Sequence, residues 1–308
     1  MIISLGTLRK LIRCSRSDGE RTYRPLVPSS EAPGEGTIIA LDTEFVKAKD
    51  HEIAVNSEGE REIIRPIVHA LARVSVIRTS GQDELEPFID DYIVVREPII
   101  DYNTEFSGIR AEDLNPKTSS HNLVSLKVAY KKLWILLNLG CKFLGHGLGT
   151  DFRVINIHIP KSQVIDTATL FQDRTRSQRK IALAFLVWCL LNEHVQQGTH
   201  DSIEDARSAL KLYRKYLEYQ DAGIMEAMFS EIYSKGKVHN WKVPGASRKD
   251  LIEGILRPET PPIKDGDSGM NTMPPSGPTT PIRRPATGFV PGTGSTFNTG
   301  WTPGRSRT

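Results

Sequence analysis

The sequence predicts an α/β fold, a mixed sheet flanked by helices, and three observations carry that expectation. Three apolar, β-branched runs follow one another closely, at about residues 37–46, 67–77 and 85–95. The later apolar segments are separated by helical stretches, the alternation that builds strands and helices into one layered unit. With 38% apolar residues among 308, the chain has material for one sizeable core.

The first run, TIIALDTEFV, follows Pro33, Gly34 and Gly36 and reads as a buried central strand. Side chains alternate along a strand, so Asp42 and Glu44 share one face, about 7 Å apart at a rise of about 3.3 Å per residue. Two anions on a buried face repel each other and lose hydration, a cost that a bound cation removes. Carboxylate oxygens are natural ligands of Mg²⁺ or Mn²⁺. The plainer alternative is a strand end at which the Asp-x-Glu pair is simply hydrated.

A helix is expected over about residues 122–138, with Leu123, Leu126, Tyr130, Leu133, Trp134 and Leu137 at helical spacing and Gly140 as its stop. CKFLGHGLGTDF follows. Phe143 and Leu144 suggest a short strand, the glycines a loop that lets backbone approach a ligand, and Thr150 the cap of a helix starting at Asp151. Asp151 is then either a ligand or a partner of the positive helix end.

In THDSIEDARSALKLY, Asp201 or Ser202 caps a long amphipathic helix with Ile203, Ala206, Leu210, Tyr213 and Leu217 on its apolar stripe. His200 falls just outside that helix and Asp205 in its first turn. A histidine on such an approach loop can take a proton from water near neutral pH. The alternatives are a surface histidine and a capping box between Ser202 and Asp205.

These pieces, in this order, resemble the ribonuclease domain of Pan deadenylase catalytic subunits, which belong to the DEDDh exonucleases. The resemblance runs from about Glu31 to Tyr219 and extends beyond the acidic residues: HALARVSVIR, PFIDDYIV, FSGIRAEDLNP, GHGLGTDFRVINIHIP, VIDTATLF and THDSIEDARSALKLYRKYLE all read as family segments. It implies an RNase H-like fold with a mixed five-stranded sheet, its first three strands antiparallel, and carboxylates converging at one end. Asp42, Glu44, Asp151 and Asp205 would hold two divalent cations, Mg²⁺ or Mn²⁺, about 4 Å apart, with Asp42 bridging and His200 as general base. The implied reaction is 3′→5′ hydrolysis of mRNA poly(A) tails with release of 5′-AMP. Phe45, Val46, Ser107, Gly108 and Ile109 lie where the superfamily packs terminal nucleotides. Of these, Phe45 or Ile109 is a candidate for stacking on a base, Phe45 being equally readable as core. His146 is a candidate phosphate contact or a support of the glycine loop.

The resemblance implies single-stranded RNA 3′ ends, the regulatory subunit of the Pan complex and poly(A)-binding protein as partners, and a cytoplasmic location, including P-bodies. Full-length relatives place a β-propeller and a pseudo-ubiquitin-hydrolase domain before the nuclease, and this chain has room for neither, which puts partner assembly in question. Residues 1–36 are expected to be an extension, either a remnant of an upstream domain or a leader; MIISLGTLRKLIRCSRS has the basic, acid-poor character of a mitochondrial presequence. The catalytic domain is expected over 37–233. From 234 to 308 the expectation is a largely disordered tail, with the Pro, Gly, Thr and Ser enrichment strongest beyond Arg257.

The tail from Arg257 carries six basic and three acidic residues, so it accounts for the whole chain's net charge of +3 and leaves the remainder balanced. A broad basic surface for RNA is therefore not expected of the core. Trp301 and Phe297 are candidates for a short partner-binding motif. Cys14, Cys141 and Cys189 are too scattered for a disulfide framework or a zinc site. The longest apolar run, IALAFLVWCLL from Ile181, has eleven residues and reads as a buried helix rather than a membrane span. Two rival classes remain at this level: a general exonuclease acting on RNA, oligoribonucleotides or DNA, and a catalytically silent RNA-binding scaffold.

Overall fold

The computed structural model describes Arg24, Leu26 and residues 32–245. Its centre is strand β1, Ile38–Lys49, which carries Ile39, Leu41, Thr43 and Phe45 toward one face and Ala40, Asp42 and Glu44 toward the other. Antiparallel to it runs β4, Val68–Arg78, and antiparallel to β4 runs β5, Pro87–Val94. On the other side β7, Lys142–Gly145, is parallel to β1, and β8, Val164–Asp166, is parallel to β7. A short strand β6, Leu123–Ser125, pairs in parallel with β5 and completes the order β6-β5-β4-β1-β7-β8. Between β1 and β4, the strands β2, Glu52–Val55, and β3, Arg61–Arg65, form a separate exposed hairpin.

The sheet thus has six strands rather than five. The sixth was hidden because Leu123 continues the helical apolar spacing of the segment behind it. In the structure residues 123–125 pair with β5, and helix α2 begins only at Leu126 and runs to Asn138. The remaining helices are α1, Thr104–Ser107; α3, Leu148–Ile155; α4, Thr167–Leu170; α5, Leu183–Leu191; α6, Ser202–Asp221; and α7, Met225–Val238.

The two sheet faces have different cores. Ala129, Leu133, Leu136 and Leu137 of α2 pack with Ile39, Leu41, Val74, Val76 and Phe143. Ala206 and Leu210 of α6 pack with Ala40, Ile77 and Leu144. Burying each such aliphatic side chain contributes about 1.5–3 kcal/mol. The consequence for the site is geometric: the face of β1 that bears Asp42 and Glu44 is the face on which α6 lies. A third cluster joins α5 and α7, and there Trp241 stands 5.3 Å from the Tyr233 ring and 5.7 Å from that of Phe185. The folded body therefore continues past residue 233, through the end of α7 to at least Trp241. At the other end, Arg24 N–H donates to the Pro87 carbonyl at 3.0 Å and Leu26 packs against the main core, so part of the 1–36 extension lies on the domain. The candidate leader, Cys14 and the tail beyond 245, with Phe297 and Trp301, lie outside the described residues.

The consecutive aspartates of β5 serve opposite faces. Asp90 accepts hydrogen bonds on the α6 side, whereas Asp91, fully buried, accepts from Lys132 Nζ at 2.7 and 2.8 Å and from Asn122 Nδ2 at 2.7 Å. Lys132 therefore ties α2 to β5. Its replacement by alanine leaves a buried carboxylate without its cation, and the expected loss of stability is about 3 kcal/mol, to be measured by urea unfolding. A loss under about 0.5 kcal/mol would show that Asp91 is satisfied without it.

Candidate active site

Three elements deliver the four acidic residues. Asp42 and Glu44 stand on β1, and Glu44 is only 7% exposed. A β-bulge follows Glu44: Glu44 pairs with Arg73 and Phe45 with Leu71, skipping Ala72. Such a bulge re-aims the strand where a functional face ends. Asp205 lies buried in the first turn of α6 and faces the β1 pair.

Asp151 arrives by a different route from the one its sequence suggested. Its helix begins at Leu148, after Gly147 in the left-handed region at φ 79°, so Thr150 is already helical and Asp151 stands in the first turn. Asp166 Oδ1 accepts from Gly147 N–H at 2.7 Å and from Ala168 N–H at 2.9 Å, which fixes the start of α3 against the end of β8. Thr43, between the two β1 carboxylates, donates its hydroxyl to Asp151 Oδ1 at 2.5 Å.

The electrostatics record how closely these groups meet. Burial, followed by the charges of Asp205, Glu44 and Asp151, holds the Asp42 carboxyl well above the usual range. Burial and Asp205 push Glu44 up to about 9, with Arg73 opposing them. Burial pushes Asp151 up to about 6 against the hydrogen bond from Thr43. Among the described residues no group of three or more His, Cys, Asp or Glu side chains is drawn together tightly enough to hold a metal ion. Thr43 and Gln196 each hold one of the carboxylates by a hydrogen bond. An all-oxygen anionic donor set of this kind fits a hard divalent cation.

His200 precedes α6. Its Nδ1 lies 3.6 Å from Asp205 Oδ2 and 3.3 Å from Gln196 Nε2, and Gln196 Nε2 also donates to Asp205 Oδ2 at 2.8 Å. The break between loop and helix anticipated from the sequence is made by Asp201. Its Oδ1 accepts the N–H groups of Ile203 at 2.9 Å and Glu204 at 3.1 Å.

The nucleotide contacts expected nearby are placed differently. Val46 and Ile109 are 0% and 1% exposed and pack on each other's cluster with Tyr92 and Leu114, so neither presents a surface to a base. Phe45 is half-buried against the main core. Ser107 Oγ donates to the Tyr102 carbonyl at 2.8 Å and accepts from Ile109 N–H at 3.0 Å, closing its own turn. His146 Nε2 donates to the Ile181 carbonyl at 3.0 Å and its Nδ1 lies 2.9 Å from Thr167 Oγ1, which makes it a support of the glycine loop. Gly108 has the closest connection to the chemistry. At φ 67° it lies beneath His200, and a Cβ there would come within 2.5 Å of the His200 carbonyl oxygen. Sequence reasoning missed Thr43, Gln196 and Asp166, since none belongs to a spacing that marks a site.

A mixed sheet with its central strand bearing two carboxylates, a third from α3 and a fourth from α6 defines an RNase H-like exonuclease. The chain belongs to the RNase T exonuclease family, which matches residues 39–213. More particularly, it is similar to the catalytic subunit PAN2 of the PAN2-PAN3 deadenylation complex of Chaetomium thermophilum, with 62% identity over 243 residues, 79% of this chain and 20% of that protein. Among solved structures it is similar to the Neurospora crassa Pan2 catalytic unit of protease and nuclease domains, with 50% identity and a TM-score of 0.64 over 73% of this chain and 34% of that one. It is also similar to the Saccharomyces cerevisiae Pan2 pseudoubiquitin hydrolase-RNA exonuclease module in complex with A7 RNA, with 42% identity and a TM-score of 0.65 over 73% of this chain and 35% of that one. The chain thus spans about a fifth of the length of its curated relatives and about a third of these structures.

The raised carboxyl pKa values set a pH dependence. Glu44 titrates at about 9 in the folded chain against 4.5 ordinarily, so the folded state binds the proton more tightly than the unfolded state. Its stabilising contribution is complete below about 4.5 and is lost as pH rises through about 9. In EDTA the melting temperature is expected to fall across that window, less so in Glu44→Gln and less so with saturating Mg²⁺. Calorimetric scans at stepped pH measure this, and a melting temperature in EDTA that rises between pH 5 and 9 would contradict it.

Proposed function

We propose that the chain is a metal-dependent 3′→5′ exoribonuclease that removes adenosines from poly(A) tails and releases 5′-AMP. The observation that supports it most directly is the mutual electrostatic coupling of Asp42, Glu44, Asp151 and Asp205 beside His200. Asp42, Glu44, Asp151 and Asp205 would hold two divalent cations, Mg²⁺ or Mn²⁺, which supply charge stabilisation and water activation to phosphodiester hydrolysis. His200 takes the proton of the attacking water, and the imidazolium that forms is stabilised by Asp205, 3.6 Å away. Gln196 holds both side chains in that relation.

The choice of poly(A) rests on the relatives, named as deadenylase subunits and solved with adenosine-rich RNA. The same resemblance supports recognition of the stacked adenosine strand as a whole. The names of the relatives also support a regulatory PAN3-type subunit as partner. Poly(A)-binding protein and a cytoplasmic setting, P-bodies included, complete the reading as proposals from the same resemblance.

A time course on 5′-labelled A20-tailed RNA with Mg²⁺ tests this. Laddered loss of 3′ adenosines by the intact chain, absent in Asp42→Ala, is the expected result. Equal trimming of poly(U) and poly(C) tails would instead assign a general exonuclease, and no trimming by folded, metal-binding protein would show that this chain alone is not a deadenylase, through lost activity or a need for upstream domains. Separately, His200→Ala is expected to lower kcat by about 10²–10⁴-fold while metal affinity, followed by titration with Mn²⁺, stays near that of the intact chain. A kcat within about tenfold of the intact chain would remove His200 from the base role.

A further inference from the structure

Arg73 is a buried arginine within the sheet. It stands on β4 opposite Glu44, with a side chain 8% exposed. Its Nε donates to Asp90 Oδ1 at 2.7 Å and its Nη2 to Asp90 Oδ2 at 3.2 Å, a two-pronged grip that anchors the guanidinium to β5. The face of the guanidinium lies 5.0 Å from the centre of the Tyr92 ring. The third nitrogen, Nη1, reaches out of the sheet to Asp201 Oδ2 at 3.2 Å. Burial would lower the Arg73 pKa, but the hydrogen bonds and charge of Asp90 raise it further, so the cation persists at every working pH.

Asp201 sits at the junction that matters for the reaction. It follows His200, caps α6 with its other carboxylate oxygen, and its carbonyl accepts the N–H of Asp205 at 2.9 Å. A second tether runs in parallel: Ser75 Oγ lies 2.6 Å from Ser202 Oγ and 2.9 Å from Asp90 Oδ1. On the opposite side the His200 carbonyl rests against Gly108. The loop before it, by contrast, is irregular, with Gln196 at φ 57° and exposed residues from Gln197 to Thr199. His200 is therefore the last residue of an irregular loop, its imidazole held by Gln196 and its backbone by what holds its neighbour Asp201.

We propose that Arg73 is a positioning residue for the hydrolytic reaction, acting through Asp201 to fix His200 beside the acidic face of β1. This rests on the exonuclease reading above. A planar fork with several donors can serve Asp90 and Asp201 at once, whereas a lysine ammonium cannot reproduce that geometry. Buried ion networks contribute little net stability compared with apolar residues of the same volume, so the main effect of this one is to select one placement of the loop end. A displacement of about 1 Å at a reacting group can cost about a hundredfold in rate.

Asp201→Asn separates the two duties of Asp201, since asparagine is as good a helix cap but offers Arg73 no anion. The imidazole NMR signal of His200, assigned by its loss in His200→Ala, is expected to shift or broaden in Asp201→Asn and in Arg73→Lys. On A20 RNA, kcat of both variants is expected to fall by about tenfold or more with KM little changed. In the His200→Ala background Asp201→Asn is expected to bring no further loss, because both act through one group. An unchanged His200 signal in both variants would overturn the proposal, as would an equal loss of kcat with and without His200. An intact chain that degrades no RNA would overturn the functional reading instead, and the NMR comparison would still decide this one.

Discussion

Everything at this site depends on one unfavourable interaction: four carboxylates held near one another where water reaches them poorly. Burial raises the carboxyl pKa values most, Glu44 to about 9 and Asp151 to about 6, and the mutual repulsion of Asp42, Glu44 and Asp205 adds to the cost. A flexible chain would relieve it by moving apart. Here it is sustained because two of the groups belong to the central strand of a six-stranded sheet, and the others to the first turns of helices capped by Gly147 and Asp201. The fold supplies the rigidity, and a divalent cation is the chemical partner that the arrangement favours.

The surroundings limit the cost without cancelling it. Thr43 and Gln196 donate hydrogen bonds to Asp151 and Asp205, and Arg73 opposes the charge on Asp42 and Glu44 from within the sheet. Arg73 is itself neutralised by Asp90, so it tempers the acidic cluster without being drawn into it. The pair Asp90 and Asp91 shows how strand alternation divides labour: one holds the arginine near the site and the other the lysine that seats α2.

Much of this was legible in the sequence where local rules dominate. The alternation in ALDTEFV places Asp42 and Glu44 on one face, and the position before an amphipathic run narrows the α6 cap to Asp201 or Ser202, of which the structure uses Asp201. The residues that were misread are those whose environment comes from distant chain. Leu123–Ser125 fits a helical stripe, yet pairing with β5 makes it a strand. Thr150 looks like a cap, but Gly147 enters the helix three residues earlier through a left-handed turn. Val46 and Ile109 follow motifs associated with nucleotide contact, and only the folded structure shows them buried against Tyr92 and Leu114. Arg73 and Gln196 carry no local signature, because their partners lie 128 and nine residues away in the chain.

On this reading the acidic cluster is a divalent-cation site poised by burial and mutual repulsion. Calorimetric titration of the metal-free chain with Mn²⁺ at neutral pH, in two buffers of different ionisation enthalpy, tests it most directly. About two ions per chain are expected, with protons released on binding because burial and Asp205 push Glu44 up to about 9, and less release from Glu44→Gln. A chain that binds no divalent ion, or binds one without releasing protons, would contradict it.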